Sequence, residues 1–310
     1  MGNLVNHALV WALIFAMTPS FALAQTILVD TSEHQDVLPL IETLDQTHIG
    51  LGFAENAMTE LNHGGVDVAV LGMDRIAKLA PQLEFLRDPY VVLDQKHIAK
   101  LRLDLDIMNE ASKPLSPFDL KLIGLVYLGQ WGIVSNQALF KESDIKPDMV
   151  KHLRLAVGRD LTDMQSVRGL GMVPIPMMQE QFNAALNMSA VDAFVQSNLA
   201  TAGDACTQWI PQLYKTSFAF LVVKASRWTA LSSDARAVEM SKTQAFIEDL
   251  EKVIQDQENS VVQKHTEQGC EMVKVDIGAF KSFTRQPAPD PDQPMRWEEH
   301  LYQKVIGLGG

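Results

Sequence analysis

One frame of residues occurs twice in the chain and constrains the fold more than any other feature. The stretches LNHGGVDVAV (61–70) and LNMSAVDAFV (186–195) both read Leu-Asn, three small or turn-prone residues, Val-Asp, two residues and Val. A run with helical character precedes each copy, and an apolar strand follows it. A chain that builds this corner twice is predicted to contain two similar α/β units.

Strands and helices alternate around both copies, which predicts an α/β fold. The first unit is predicted to contain a strand at 26–30, a helix at 32–46, a strand at 48–53, a helix at 54–64 and a continuous apolar strand at 66–72. Such an apolar strand is typical of a sheet that is covered on both faces. The second unit is predicted to contain strands within 122–136 and 152–158 and a helix over 160–169, followed by the repeated corner.

A long amphipathic helix is predicted from about Ser233 to Gln268, ending near Gly269. Apolar residues recur in it at intervals of mainly four, at Val238, Phe246, Leu250, Ile254 and Val261. A Pro-rich extended tether at 286–294 and a short helix at 295–305 are predicted to follow.

The charge balance excludes one class of partner. Lys and Arg together number 26 against 38 Asp and Glu, which gives a formal net charge of −12, and no run rich in Lys or Arg occurs. Nucleic-acid binding depends on basic surfaces that neutralise phosphates. We therefore expect no nucleic-acid partner.

The first residues have the pattern of a secretory signal peptide. An apolar core at 8–17 is followed by Pro19, and Ala22 and Ala24 give the small-residue pattern of a cleavage site. The apolar run is short for a transmembrane span. We expect cleavage after Ala24 and a mature protein outside the cytoplasm that does not span the membrane; an uncleaved anchor is the alternative.

Cys206 and Cys270 are the two cysteines of the chain. An even pair in an oxidising compartment is compatible with one disulfide. The alternative is that both are small buried hydrophobic residues.

Sequence signals of catalysis or metal binding are missing. The histidines are scattered without H-x-H or H-E-x-x-H spacing, and neither a C-x-x-C motif nor a G-x-S-x-G elbow occurs. The stretch GLGFAE (50–55) has Glu55 where a dinucleotide loop has its third glycine. We expect no enzyme activity, no cofactor and no metal.

Several segments of the chain resemble segments of one known family and occur in the same order along the sequence. They are ELNHGGVDVAVLG (60–72), LEFLRDPYVVLDQKH (83–97), GQWGIVSN (129–136), VKHLRLAVG (150–158), GMVPIPMMQEQFNAALNMSAVDAFVQS (171–197) and YKTSFAFLVVKASRWTALSSDARA (214–237). The fifth is the most specific, since the family reads Gly-Ala-x-Pro-x-Pro-Met, a helix and Val-Asp. Through most of 26–282 the chain resembles the periplasmic solute-binding subunit of TRAP transporters, a family that usually imports carboxylates.

The resemblance implies an α/β fold of the periplasmic-binding-protein type, with a cleft between two lobes and a long hinge-spanning helix. The expected partners are a small organic ligand and the membrane permease subunits, and the expected location is the periplasm. The expected organisation is a signal peptide at 1–24, lobe I at 25–130 plus about 222–261, lobe II at 131–221 plus about 262–285, and a tether and helix at 286–310. Each copy of the repeated corner is interpreted as ending a strand at one wall of the shared cleft.

The chain departs from the family at the residues that bind the ligand carboxylate. The resemblance aligns Ala156 with the arginine of the second-lobe strand, Trp131 with an arginine of the crossover strand, and Gln196 with an asparagine. An unpaired carboxylate buried there would cost several kcal/mol. We therefore expect a ligand that is less anionic or more apolar than a typical dicarboxylate.

Other residues are candidates for the same cleft. Arg154 shares a strand face with Ala156, and Arg159 follows that strand, so either is a possible replacement cation; the alternative is that Arg154 lies on the lobe surface. The predicted ligand-binding residues are Asp30, Met73, Trp131, Arg154, Ala156, Met178, Gln179 and Gln196. Two other functions remain open: a ligand-sensing or interaction protein with a degenerate cleft, and an exported enzyme on the same scaffold.

Overall fold

The computed structural model describes residues 25–31, 37–44, 49–141, 144–159, 161–200, 206–284 and 299–309. The predicted signal peptide and the Pro-rich tether at 286–294 lie outside these residues. The strands are β1 (Gln25–Asp30), β2 (Ile49–Ala54), β3 (Val68–Gly72), β4 (Leu120–Ser135), β5 (Arg154–Val157), β6 (Val173–Pro176), β7 (Ala193–Ser197), β8 (Gln208–Lys224) and β9 (Glu271–Met272).

Helices connect these strands. They are α1 (Leu38–Ile41), α2 (Ala57–His63), α3 (Met73–Leu79), α4 (Gln95–Leu103), α5 (Leu105–Ser112), α6 (Pro147–Val150), α7 (Leu161–Gly169), α8 (Phe182–Asn187), α9 (Ala225–Ala230), α10 (Ser233–Glu267), α11 (Ile277–Thr284) and α12 (Glu299–Leu308). Short 3₁₀ helices lie at Pro81–Arg87, Lys113–Phe118 and Gln179–Gln181. Of the helix predicted at 32–46, the described part is helical over Leu38–Ile41.

In the part of the chain that the structure describes, nine strands form one sheet in the order β2-β1-β3-β8-β4-β7-β5-β6, with β9 paired to β8. The β1–β2, β1–β3, β5–β6 and β5–β7 pairs are parallel. The strands β4 and β8 are much longer, at 16 and 17 residues, and run antiparallel to each other. These two strands therefore join a parallel block at one end of the sheet to a parallel block at the other.

Two hydrophobic cores cover the two halves of this sheet. The first contains buried residues of β1–β3, α4, α5, the start of β4 and the end of β8. The second contains those of β5–β7, the end of β4 and the start of β8. The core changes between Leu128 and Ile133 in β4 and between Tyr214 and Phe218 in β8. The predicted two-lobed α/β fold is confirmed.

The long helix α10 spans 35 residues, close to the predicted 233–268, and connects the two cores. The Ser232 side chain caps it by accepting a hydrogen bond from the Ala235 N–H at 3.2 Å. Phe246 packs in the first core and Val261 in the second. Val238, the first of the recurring apolar residues, is 54% exposed and is not part of the buried face of the helix.

Two glutamates on one face of α10 hold the helix against β4. Glu251 accepts the Tyr127 backbone N–H at 3.1 Å, and Glu258 accepts the Gln130 N–H at 2.9 Å. The β4–β8 register shifts between Tyr127 and Gln130, where Gly129 has a φ of 101°. A strand bulge with its N–H bonded to a carboxylate is thus built where the chain passes between the cores. Burial raises the pKa of the Glu258 carboxyl.

The repeated corner has a structural cause that is the same in both copies. Asp67 Oδ2 accepts the Thr26 N–H at 2.8 Å, and the Asp67 N–H donates to the Thr26 carbonyl at 3.0 Å. Asp192 makes the same two bonds with Arg154, both at 2.8 Å. Each aspartate therefore fixes the start of the neighbouring parallel strand, at the second residue of β1 and at the first residue of β5.

The interpretation of the corner as a wall of the cleft is wrong. The strands that follow the two corners, β3 and β7, belong to the same sheet and are separated in it by β8 and β4. Asp192 precedes β7, whose last residue Ser197 pairs with Trp131. Five residues of extended chain span about 16 Å. The second corner is thus at the end of β7 remote from Trp131, and both corners bond the start of a neighbouring strand.

Candidate functional site

A recess lies where the chain passes from one core to the other. Its empty volume, including the open mouth, is about 300 Å³. The lining residues are Tyr90, Val92, Leu93, Gln130, Trp131, Gln212, Tyr214, Lys215, Thr216 and Ile277. They come from the segment between the 3₁₀ helix and α4, from the two long strands and from the start of α11. The recess is therefore bounded by elements that belong to both halves of the molecule.

Trp131 and Lys215 are cross-strand partners in the β4–β8 ladder. The Lys215 Nζ lies 5.7 Å from the Trp131 ring centroid and 5.2 Å from that of Tyr214, within the range of cation–π attraction. It also lies 2.7 Å from Asp163 Oδ1, in the first turn of α7. One ammonium group is therefore held by two aromatic rings and one carboxylate.

The Asp163 carboxylate is kept ionised. Burial by itself would raise its pKa, but the charge of Lys215, hydrogen bonds from Lys215 and Tyr214, and the charge of Arg87 lower it below the usual value. Arg87 is itself paired with Asp74 at 2.6 Å. Charges from both halves of the molecule thus meet beside the recess, and each cation has a carboxylate partner.

The chain around Tyr90 forms one wall. The Tyr90 hydroxyl donates to the Gln212 carbonyl at 3.0 Å, and its ring stacks on Phe280 at 5.3 Å between centroids. The Leu93 carbonyl accepts hydrogen bonds from Gln130 Nε2 and from the Thr216 hydroxyl, both at 2.8 Å. These bonds attach the segment before α4 to both long strands.

Trp131 is the residue of the predicted set that lines the recess. Ala156 is fully buried in the second core. Gln196, 8% exposed, pairs with Gly132 across the β4–β7 ladder, and its amide donates to the Ala200 carbonyl at 2.6 Å. Gln196 thus lies opposite the neighbour of Trp131, and neither Ala156 nor Gln196 is among the lining residues of the recess.

The charged candidates have partners within the protein. Arg154 binds Asp192 through Nε at 3.2 Å and Nη2 at 2.6 Å, and this hydrogen-bonded pairing raises the Arg154 pKa. Asp30 is fully buried and lies 3.4 Å from Arg75 Nη2. Arg159 is exposed after β5.

The remaining candidates lie away from the recess lining. Met73 begins α3 and packs half-buried against the first core. Met178 is 50% exposed, and Gln179, also exposed, begins a 3₁₀ helix. As ligand contacts, all these residues stay predictions.

Reasoning from the sequence missed Lys215 and Asp163. Both lie in segments whose elements were predicted, but only the β4–β8 register places Lys215 opposite Trp131. Asp163 is 52 positions away from Lys215 in the chain and reaches it through the fold of the second half. A lysine beside an aromatic residue in the segment YKTSF (214–218) is the one local signal, and it is weak.

The two cysteines lie at the far end of α10. Cys206 and Cys270 are joined in a disulfide, with their Cα atoms 5.3 Å apart. The buried His265 lies beside them, so that one ring nitrogen of His265 and the two sulfur atoms are close enough together to be considered as metal ligands. With both sulfurs bonded to each other, the thiolates that a metal site needs are absent.

These features define a two-lobed protein whose recess lies between the lobes, on strands that cross from one to the other. The chain matches the model of the family described as bacterial extracellular solute-binding protein, family 7, over residues 50–287, and it belongs to that family. In the described residues no helix has the length and apolar character needed to cross a membrane.

Solved structures of TRAP periplasmic solute-binding proteins share the fold. A Roseobacter denitrificans protein with bound 3-deoxy-D-manno-oct-2-ulosonic acid is 17% identical, with a TM-score of 0.66 over 92% of this chain and 99% of that one. An apo, open Escherichia fergusonii protein is 13% identical, with a TM-score of 0.69 over the same shares. An Actinobacillus succinogenes protein with bound L-galactonate is 16% identical, with a TM-score of 0.60 over 92% and 99%.

A curated relative from Haemophilus influenzae, described as an uncharacterized protein, is 27% identical over 147 residues. The match covers 46% of this chain and 42% of that relative. The chain therefore aligns with less than half the length of the relative.

Proposed function

We propose that the protein is the extracytoplasmic solute-binding subunit of a TRAP-type secondary transporter. It captures a small organic ligand between its lobes and presents the ligand to membrane permease subunits. Membership of the solute-binding family and the bilobal fold support this function. The protein acts in the periplasm as a binding protein, not an enzyme, after cleavage behind Ala24.

The observation that carries the proposal is the recess at Trp131 and Lys215. It lies where both long strands change from one hydrophobic core to the other, so lobe closure changes its walls. The bulge at Gly129 and the helix α10 are the elements about which the lobes close. Contacts that form only in the closed state stabilise it when ligand is bound.

The ligand is less anionic or more apolar than a dicarboxylate. Among the described residues that line the recess, Lys215 is the one cation, and Asp163 already neutralises it. A second carboxylate would enter a site walled by Trp131 and Tyr90, where an unpaired buried charge costs several kcal/mol. The buried methyl group of Ala156 offers no compensating cation.

The lobes follow the two hydrophobic cores. Lobe I comprises 25–130 with about 222–261, and lobe II comprises 131–221 with about 262–285. The burial of Phe218 in the first core supports moving the boundary in β8 closer to Thr216, and the burial of Val261 in the second core supports placing the boundary in α10 before Val261. Residues 286–310 comprise the Pro-rich tether and the C-terminal helix; this helix, α12, packs against α4 and α5 of lobe I, with Leu301 and Val305 buried in the first core.

Ligand capture is tested by native mass spectrometry of the purified protein, followed by calorimetry with the released compound. We expect one small organic molecule per protein, and Trp131→Ala should weaken its binding about tenfold or more because truncation of a central aromatic contact is costly. Met188→Ala is the control, since Met188 is 79% exposed and outside the recess.

Delivery is tested by reconstituting the cognate permease subunits in liposomes and measuring ligand uptake with and without this protein. Uptake that depends on the protein supports transport. Tight binding without any stimulation of uptake would instead favour a ligand-sensing protein, and substrate turnover would favour an enzyme.

A further inference from the structure

The Lys215–Asp163 ion pair beside the recess constrains the charge of the ligand. The two side chains are 27% and 24% exposed, and their charged atoms are 2.7 Å apart. They come from different elements, β8 and the first turn of α7, so the pair is formed by the fold and not by neighbours in sequence. Both charges are removed from most of the surrounding water, and each depends on a partner of opposite sign.

The aromatic rings make the same place suitable for a ligand cation. The Lys215 ammonium lies over the rings of Trp131 and Tyr214, so both ring faces already make cation–π contacts. An ammonium group on a ligand is attracted to such faces in the same way. Asp163, whose Oδ1 accepts a hydrogen bond from the Lys215 ammonium at 2.7 Å, supplies the matching negative charge.

Four classes of ligand can be compared by which charge, Lys215 or Asp163, each would leave without a partner of opposite sign. A neutral ligand leaves the ion pair intact and uses neither charge. A monocarboxylate that binds Lys215 competes with the Asp163 carboxylate for the same ammonium group. A monocation that binds Asp163 likewise deprives Lys215 of its carboxylate. A zwitterion that inserts into the pair gives each side chain a new partner of opposite charge.

We infer that the protein binds a small zwitterion, an amino acid or betaine, whose carboxylate pairs with Lys215 and whose ammonium group pairs with Asp163 against Trp131 and Tyr214. This inference rests on the proposed function and specifies the ligand class of its cleft. The net charge of such a ligand is zero, which agrees with a cleft whose charged groups already balance.

The first test is a thermal-shift screen with equal numbers of size-matched zwitterions, monocarboxylates, monoamines and neutral polyols. One matched set is glycine betaine, 3,3-dimethylbutyrate and choline, which share a branched head and differ in charge. The compounds that stabilise the protein should be zwitterions. Hits confined to any other class would overturn the zwitterion while leaving solute binding intact, whereas no hit in any class would count against both.

The second test measures the best zwitterion and its monocarboxylate analogue on the same samples by calorimetry. Asp163→Asn should weaken the zwitterion about tenfold or more, because a hydrogen bond to a charged partner is lost. It should leave the monocarboxylate unchanged or bound more tightly, since the competing carboxylate is gone. Lys215→Met should weaken both compounds.

The ratio of the two affinities within one variant does not depend on the fraction of folded protein, so partial unfolding cannot produce the expected pattern. Glu180→Gln, an exposed carboxylate outside the recess, is the matched control and should not change the ratio. Equal weakening of both compounds by Asp163→Asn would overturn the assignment of the ligand ammonium to Asp163.

Discussion

Glu251 joins the long helix α10 to β4 and to α4 through its side chain. Its side chain is 6% exposed and accepts hydrogen bonds from Arg102 Nη1 at 2.8 Å, from Arg102 Nη2 at 3.4 Å and from the Tyr127 N–H at 3.1 Å. The Gln95 amide donates to the same carboxylate at 3.4 Å. Arg102 is 10% exposed, so the pair is buried on both sides.

The substitution Glu251→Gln keeps the shape of the side chain but removes its charge. It leaves the Arg102 guanidinium buried with the Leu125 carbonyl, at 2.7 Å, and a neutral amide as neighbours. Breaking a buried ion pair on one side costs about 3–5 kcal/mol, mostly because the remaining charge is uncompensated. Because the Leu125 carbonyl and the new amide still contact the guanidinium, we expect the loss of unfolding free energy to lie near the lower end of this range, at about 3 kcal/mol.

The assay is urea unfolding at pH 7, read as the midpoint and the m value from tryptophan fluorescence. Glu248→Gln, on the exposed face of the same helix, should change stability by no more than about 0.5 kcal/mol. The double variant Arg102→Met with Glu251→Gln should recover much of the loss, since no buried charge remains and the amide oxygen still accepts the Tyr127 N–H. A loss below about 1 kcal/mol for Glu251→Gln, or no recovery in the double variant, would refute the reasoning.

Two further predictions concern the C-terminal helix and the crossing strands. His97 is 2% exposed, its Nε2–H donates to the Val305 carbonyl at 2.9 Å, and burial lowers its pKa despite that bond and the nearby Asp94. A lowered histidine pKa means that the unfolded chain binds more protons than the folded one, so the unfolding free energy should fall as the pH drops below about 6.5. Chemical unfolding of wild type and His97→Phe at pH 7.5 and at pH 5.5 checks this: the difference in unfolding free energy between the two proteins should be smaller at pH 5.5. Gly132→Ala places a Cβ against the Ile210 carbonyl oxygen and should lower the unfolding free energy by roughly 3 kcal/mol or more. Gly169→Ala, which has open space around the new Cβ, should change it by no more than about 1 kcal/mol in the same chemical unfolding assay.

Elements with a strong local signal were predicted well. The helix α2 ends at His63, where Gly64 takes the left-handed conformation with φ 75°, as the Gly64-Gly65 pair indicated. The strands β3 and β5 lie within the predicted apolar runs, and α10 has nearly the predicted bounds. These features follow from periodicity and from turn residues, which act over a few positions.

The recess was predicted less completely than the fold. Trp131 was named from the resemblance, whereas its contact with Lys215 depends on the register of two long strands. Arg154 was considered as a ligand cation, but Asp192 binds it at two nitrogen atoms. A strand pattern shows which face a side chain occupies but not which distant group neutralises its charge, so such pairings emerge only when the strands are assembled.

The two α/β units, the long helix and the acidic charge can be read from the sequence, because hydrophobic period, helix caps and composition are local quantities. It also contained the repeated Val-Asp corner, although the reason for the repeat was visible only in the hydrogen bonds of Asp67 and Asp192 to neighbouring strand starts. Only the assembled fold shows that β4 and β8 cross both cores and that Lys215 contacts Trp131 and Asp163. Contacts between residues 52 or more positions apart depend on the whole chain being packed, and no local preference specifies them.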